Sequence, residues 1–187
     1  MSEIHVAITG MRPKTMGSYD MHCTQYFNIK ELIYNTLYDV CQEFPNDTIV
    51  LHVGGAPGVD QWAFEKAYEL KDYFNIRIEL DIPFKYQYQK WPKSAQQDYF
   101  RQCDLADKKV FVDTVVEYKD ESAPMHEFSA KKLFNRNHYM VDKSSILLAF
   151  WDYESKGTGE TVQYGKLRNR VVRIFDLRPL LKGIRQY

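Results

Sequence analysis

Val50-Leu51-His52-Val53-Gly54-Gly55-Ala56-Pro57-Gly58-Val59-Asp60 is a short apolar run that ends in a glycine-rich turn and passes straight into a helical pattern. Val50, Leu51 and Val53 predict a buried strand. Gly54 and Gly55 let backbone amides come close to a ligand, because no Cβ stands in the way. Pro57 suits the first turn of a helix, where its missing N–H costs nothing. Val59, Trp62, Ala63, Ala67 and Leu70 then recur at helical spacing. The free N–H groups and positive dipole end of such a helix form an anion site, usually for phosphate. The turn matches neither G-x-G-x-x-G nor G-x-x-x-x-G-K-[ST], so turn geometry alone also accounts for it. Asp60 has two readings: a first-turn carboxylate that stabilises the helix dipole, or an acceptor for a ribose hydroxyl.

The same alternation of strand and helix runs outward in both directions. Upstream, Ile4, Val6 and Ile8 form a strand that ends in Thr9-Gly10-Met11-Arg12-Pro13. A glycine and an arginine after a strand's carboxyl end fit a nucleotide-facing loop or a plain turn with a solvated Arg12. Lys14 to Thr24 is irregular and reads as a flap. Asn28 and Glu31 predict a capping box for a helix with a stripe of Ile33, Leu37, Val40, Cys41 and Phe44.

Downstream, Ile76, Ile78, Leu80 and Ile82 alternate with Arg77, Glu79 and Asp81, predicting a strand near a sheet edge with one wet or partly covered face. Gln89, Lys90 and Trp91 follow on the same rim and can contact a base or sugar, or simply begin a surface helix. A helix over Ser94–Leu105 and a strand over 109–112 come next. Asp113 to Phe128 reads as a loop or lid.

A helix over Ala130–Phe134 leads into Asn135-Arg136-Asn137-His138-Tyr139-Met140-Val141-Asp142. Arg136 can clamp a phosphate with two donors. Asn137 and Asp142 can take ribose or base hydrogen bonds, and a capped helix end with solvated charges explains the same residues. Ser144–Trp151 is a strand buried on both faces. Gly157-Thr158-Gly159 is a second glycine turn opening a helix, with amides and a hydroxyl for a second phosphate. A last strand spans Val171–Phe175. The alternation predicts an α/β fold, a parallel sheet with helices on both faces, in one domain over residues 1–187. Glycine turns after different strands then fall on one sheet edge, with Arg12 beside them.

Composition narrows the function. Lys+Arg 25 balances Asp+Glu 25, so no overall field recruits nucleic acid or a membrane. The C-terminal basic residues, Arg168 to Arg185, fit a solvated face or a homo-oligomer contact better than nucleic acid. Cys23, Cys41 and Cys103 are too widely spaced for a zinc site and read as reduced thiols, and no metal site is expected. The sequence lacks a signal-like start and an apolar run long enough for a membrane span, which predicts a cytoplasmic protein.

Thr9-Gly10-Met11-Arg12-Pro13, the Gly54–Asp60 turn, the Arg136-Asn137 to Asp142 segment and Gly157-Thr158-Gly159 resemble, in that order, the YpsA-like proteins of the SLOG superfamily. That superfamily also holds DprA-type DNA-processing proteins and LOG-type phosphoribohydrolases. The resemblance covers nearly the whole chain and implies a Rossmann-like fold. It also implies a pocket for a nucleotide or nucleotide-derived ligand related to NAD or ADP-ribose. Gly54, Gly55, Gly58 and Asp60 carry over as its phosphate and ribose loop, with Ala56 between them. Met11 stands where many relatives are expected to have histidine, and the P-G-G-x-G-T-x-x-E turn of the phosphoribohydrolases is missing. Three functions follow: a sensor or sequestering protein for such a ligand; a hydrolase of an N-glycosidic bond using Asp60, Glu160 or Asp142; and single-stranded DNA binding after the DprA branch.

Overall fold

The computed structural model describes residues 2–17, 20, 22–113, 129–182 and 184. In chain order its elements are β1 (Glu3–Gly10), α1 (Pro13–Met16), a 3-10 turn (Thr24–Tyr26), α2 (Phe27–Glu43), β2 (Thr48–Val53) and α3 (Val59–Leu70). There follow β3 (Ile76–Ile82), α4 (Lys93–Leu105), β4 (Lys108–Phe111), α5 (Ala130–Lys143) and β5 (Ile146–Trp151). The chain ends with α6 (Lys156–Leu167), β6 (Val171–Asp176) and α7 (Arg178–Leu181). The lid predicted over Asp113 to Phe128 lies, beyond Asp113, outside the described residues.

The strands form one sheet in the order β4-β3-β2-β1-β5-β6, and every pairing is parallel. Side chains alternate across it. Val6 and Ile8 of β1 join Ile33, Leu37, Trp62 and Ala63 of α2 and α3 on one face. Ala7 joins Met140, Val141 and Leu147, with Tyr164 of α6, on the other. Burying side chains such as Ile8, Ile33 and Leu51 stabilises this packing by about 2 kcal/mol each. The predicted Rossmann-like α/β sandwich is therefore what the chain forms. Among the described residues no helix is long and apolar enough to cross a membrane.

Three local expectations are corrected. The Asn28–Glu31 capping box does not form: α2 runs on directly from the 3-10 turn, starting at Phe27 with no side-chain cap. The helix predicted to stop at Phe134 continues to Lys143, because Arg136, Met140 and Val141 bury one side of it. Gly157, Thr158 and Gly159 lie inside the first turn of α6, not in a turn before it. The face of β3 expected to be wet or partly covered is partly covered: Arg77 is exposed, while Glu79 and Asp81 are buried. Strand β3 is indeed next to the edge, where β4 covers its flank.

Candidate functional site

Strand order reverses at β1, whose neighbours are β2 on one side and β5 on the other. Loops leaving adjacent strands in opposite directions open a crevice at such a point. A cavity of about 280 Å³ occupies it. Thr9, Gly10 and Arg12 line it from the end of β1, Ala56 and Pro57 from the β2–α3 turn, Asp60 from the first turn of α3, and Leu133, Arg136 and Asn137 from α5. Ser155, Gly157 and Thr158 close it from the start of α6.

The floor is an ion pair. Arg136 Nη1 lies 3.8 Å from Asp60 Oδ2, and both residues are buried. Gly54 makes the pair possible: a Cβ there would stand 1.5 Å from Arg136 Nη1. Gly58, with φ +99°, turns the chain so that Val59 N–H donates to the Met11 carbonyl at 3.2 Å. That bond ties the α3 start to the β1 loop. Burial pushes the Asp60 carboxyl above its usual range, and the Arg136 and Arg12 guanidiniums together with the amides of Ala56 and Gly54 pull it back.

Those amides matter for the predicted phosphate loop. The Ala56 N–H donates to Asp60 Oδ2 at 3.4 Å, so the loop expected to hold a phosphate faces the chain's own carboxylate. Gly55 turns away, backed by Leu80 and Tyr99, and its carbonyl accepts from Gln61 at 3.2 Å.

The α6 side is different. Asp152 Oδ1 accepts the Glu154 and Ser155 N–H groups at 3.1 and 2.8 Å, fixing the entry to the helix. The first helical bond runs from Gly159 N–H to the Ser155 carbonyl at 3.0 Å. The amides of the turn before it, Lys156 to Thr158, are the ones an α-helix leaves without an internal partner. Asn137 is held for this rim: its Oδ1 accepts from Arg136 Nε at 2.8 Å and its Nδ2 donates to Thr161 at 3.0 Å.

Of the residues predicted for the site, Gly10, Arg12, Ala56, Asp60, Arg136, Asn137, Gly157 and Thr158 line one cavity. Gly54, Gly55 and Gly58 shape the turn behind it, and Gly159 packs against the Trp151 ring. Asp142 is a correction. It sits at the far end of α5, where Tyr164 Oη donates to it at 3.0 Å and Arg168 Nε at 2.7 Å, so it reaches no ligand in the cavity. Glu160 is likewise engaged by His138 at 2.5 Å between α5 and α6. Lys14, Thr15, Leu133 and Phe134 line the cavity without having been singled out. Only the position of Lys14 two residues after Arg12 hinted at it. Lys90 and Trp91 line an adjoining cavity of about 190 Å³ that shares Arg12, Lys14 and Pro57 with the first.

A parallel α/β sheet with a crevice where the strand order reverses defines a Rossmann-like protein. The model of the YpsA family, described as the YspA SLOG family, matches residues 6–170, and the chain belongs to this family. The SPbeta prophage-derived protein YoqJ of Bacillus subtilis is 33% identical over 114 residues, 60% of this chain and 67% of that protein. The UPF0398 protein YpsA of the same organism is 27% identical over 82% of this chain and 78% of its own length. Among solved structures, DNA processing protein A of Helicobacter pylori superposes with a TM-score of 0.54 at 16% identity, over 91% of this chain and 64% of that one. DNA processing protein A of Streptococcus pneumoniae gives 0.53 at 13% identity, over 97% of this chain and 54% of that one. The chain thus spans somewhat over half of each of these two DNA processing proteins, and the likeness to them is one of fold. The Helicobacter structure is described by its single-stranded DNA binding mode.

Proposed function

We propose that the crevice binds a nucleotide or nucleotide-derived small molecule of the NAD or ADP-ribose type, and that the protein acts as a cytoplasmic sensor or sequestering protein for it. The observation that carries this is the charge around the cavity. Arg12, Lys14 and Arg136 face one carboxylate, Asp60, beside the opening turn of α6. Asp60 already holds Arg136, which leaves Arg12, Lys14 and the α6 amides for an anionic guest. At about 280 Å³ the cavity lies near the small end of ligand sites, roughly 300–1,000 Å³. A mononucleotide fits that scale, and a larger ligand would extend over Pro57 toward the Trp91 cavity.

The hydrolase reading loses support. Of Asp60, Glu160 and Asp142, only Asp60 lines the cavity, so the paired carboxylates of sugar chemistry are not assembled there. A second reading, single-stranded DNA, is favoured by the fold shared with DNA processing protein A and by Trp91 beside Arg12 and Lys14.

Native mass spectrometry with NAD, ADP-ribose and AMP tests the first reading, and a fluorescent oligonucleotide at low salt tests the second. Stoichiometric binding of one nucleotide supports it. Binding of the oligonucleotide alone, with steep salt dependence, replaces it. Binding of neither rejects both.

A further inference from the structure

Outside the crevice, the buried face of β2 and β3 carries a second polar cluster. Glu79 is in register with His52 across the strand pair, and Asp81, two residues on, points to the same face. His52 Nδ1 lies 2.9 Å from Asp81 Oδ2 and 4.0 Å from Glu79 Oε1. One donor atom from each of the three falls within 4.8 Å of the others. All three residues are buried, with exposures of 1%, 7% and 0% for His52, Glu79 and Asp81.

We propose that His52, Glu79 and Asp81 bind a divalent transition-metal ion. One imidazole and two carboxylates suit a borderline cation such as Zn²⁺ or Mn²⁺, with remaining positions left to water.

Two independent observations point to a bound cation. Asp81 Oδ1 is fully buried and has no hydrogen-bond partner, although a buried carboxylate oxygen is costly to leave unmatched. The second concerns the other ring nitrogen. His52 Nε2 lies 2.9 Å from His5 Nδ1, and His5 Nε2 lies 3.3 Å from the Glu3 carboxylate. His5 thus holds the outer nitrogen of the His52 ring, and Nδ1 faces the two carboxylates, which is how metal-ligating histidines are oriented.

The carboxylates are disposed to match. Glu79 Oε2 accepts from Lys108 Nζ at 3.0 Å, and Oε1 faces His52. A surface cavity of about 190 Å³, lined by Val50, Glu79 and Lys108 among others, leads to Glu79 and shares no residue with the crevice. Such an ion would staple β2 to β3 beneath Arg136, whose Nη1 donates to the Asp81 carbonyl at 3.4 Å.

The test uses the full chain stripped with a chelator and titrated with Zn²⁺ and Mn²⁺, with Mg²⁺ for comparison. Calorimetry should give one equivalent of Zn²⁺ or Mn²⁺, and saturation should raise Tm by about 5 °C. Asp81→Asn should abolish binding. Because that variant can also unfold the sheet, Glu79→Gln is measured alongside it: affinity should fall at least about 10-fold, with the metal-free circular dichroism unchanged. The proposal is overturned if the wild-type chain takes up neither Zn²⁺ nor Mn²⁺. It is equally overturned if Glu79→Gln binds as tightly as wild type.

Discussion

Arg136 rests on the bare Cα of Gly54, with its Nη1 3.8 Å from the carboxylate of Asp60. A residue from α5 and a residue from α3 thereby meet beneath the crevice, and each keeps the other's charge tolerable in a buried setting.

The contact makes position 54 intolerant. Gly54→Ala places a methyl group on the Arg136 guanidinium, so the buried Arg136–Asp60 pair has to give way. We expect a loss of about 2 kcal/mol or more in urea unfolding, together with weaker nucleotide binding. An alanine variant of unchanged stability would mean that Arg136 does not occupy this place.

The Asp60 carboxyl should leave a mark on the pH dependence of stability. Its folded-state pKa is raised by burial, so the folded chain holds this proton more tightly than the unfolded chain does. Its contribution is complete below the ordinary aspartate pKa, near ~3.9, and falls away as pH rises toward the folded value. Urea midpoints measured upward from pH 4 should include this decline in the wild-type chain. The decline should be missing in Asp60→Asn.

Arg12 is exposed and lines both cavities. Arg12→Ala should therefore leave Tm within about 2 °C of wild type while weakening a phosphate-bearing ligand about 10- to 100-fold. Calorimetry and a thermal scan on the same samples separate the two effects.

Asp142 provides the opposite control. Its partners are Tyr164 and Arg168 on an exposed flank. Asp142→Ala should change neither nucleotide affinity nor, beyond about 2 °C, the melting temperature. A marked loss of affinity would put the site elsewhere.

The strands were legible because Ile4-to-Ile8, Val50-to-Val53 and Ile146-to-Phe150 carry their periods in the sequence itself. The end of α5 was not. Asn135, Asn137 and His138 are indifferent helix formers, and the helix continues because Arg136, Met140 and Val141 are buried against the sheet. How much of the β3 face is covered is hidden for a related reason. Glu79 and Asp81 look solvated until β2 sets His52 beside them, and register across strands is not written in one strand. Most of the crevice could be found from glycine turns at strand ends. The sequence could not tell that Asp60 folds back onto the Ala56 amide, which leaves the opening turn of α6 as the clearer set of anion donors.

Amide chemical shifts during an ADP-ribose titration test the central claim most directly. The account predicts saturable shifts at Gly157 and Thr158, accompanied by Gly10 and Arg12, with the amide of Asp142 unmoved. Shifts confined to residues away from the crevice, or none at millimolar ligand with NAD and AMP equally silent, would contradict it.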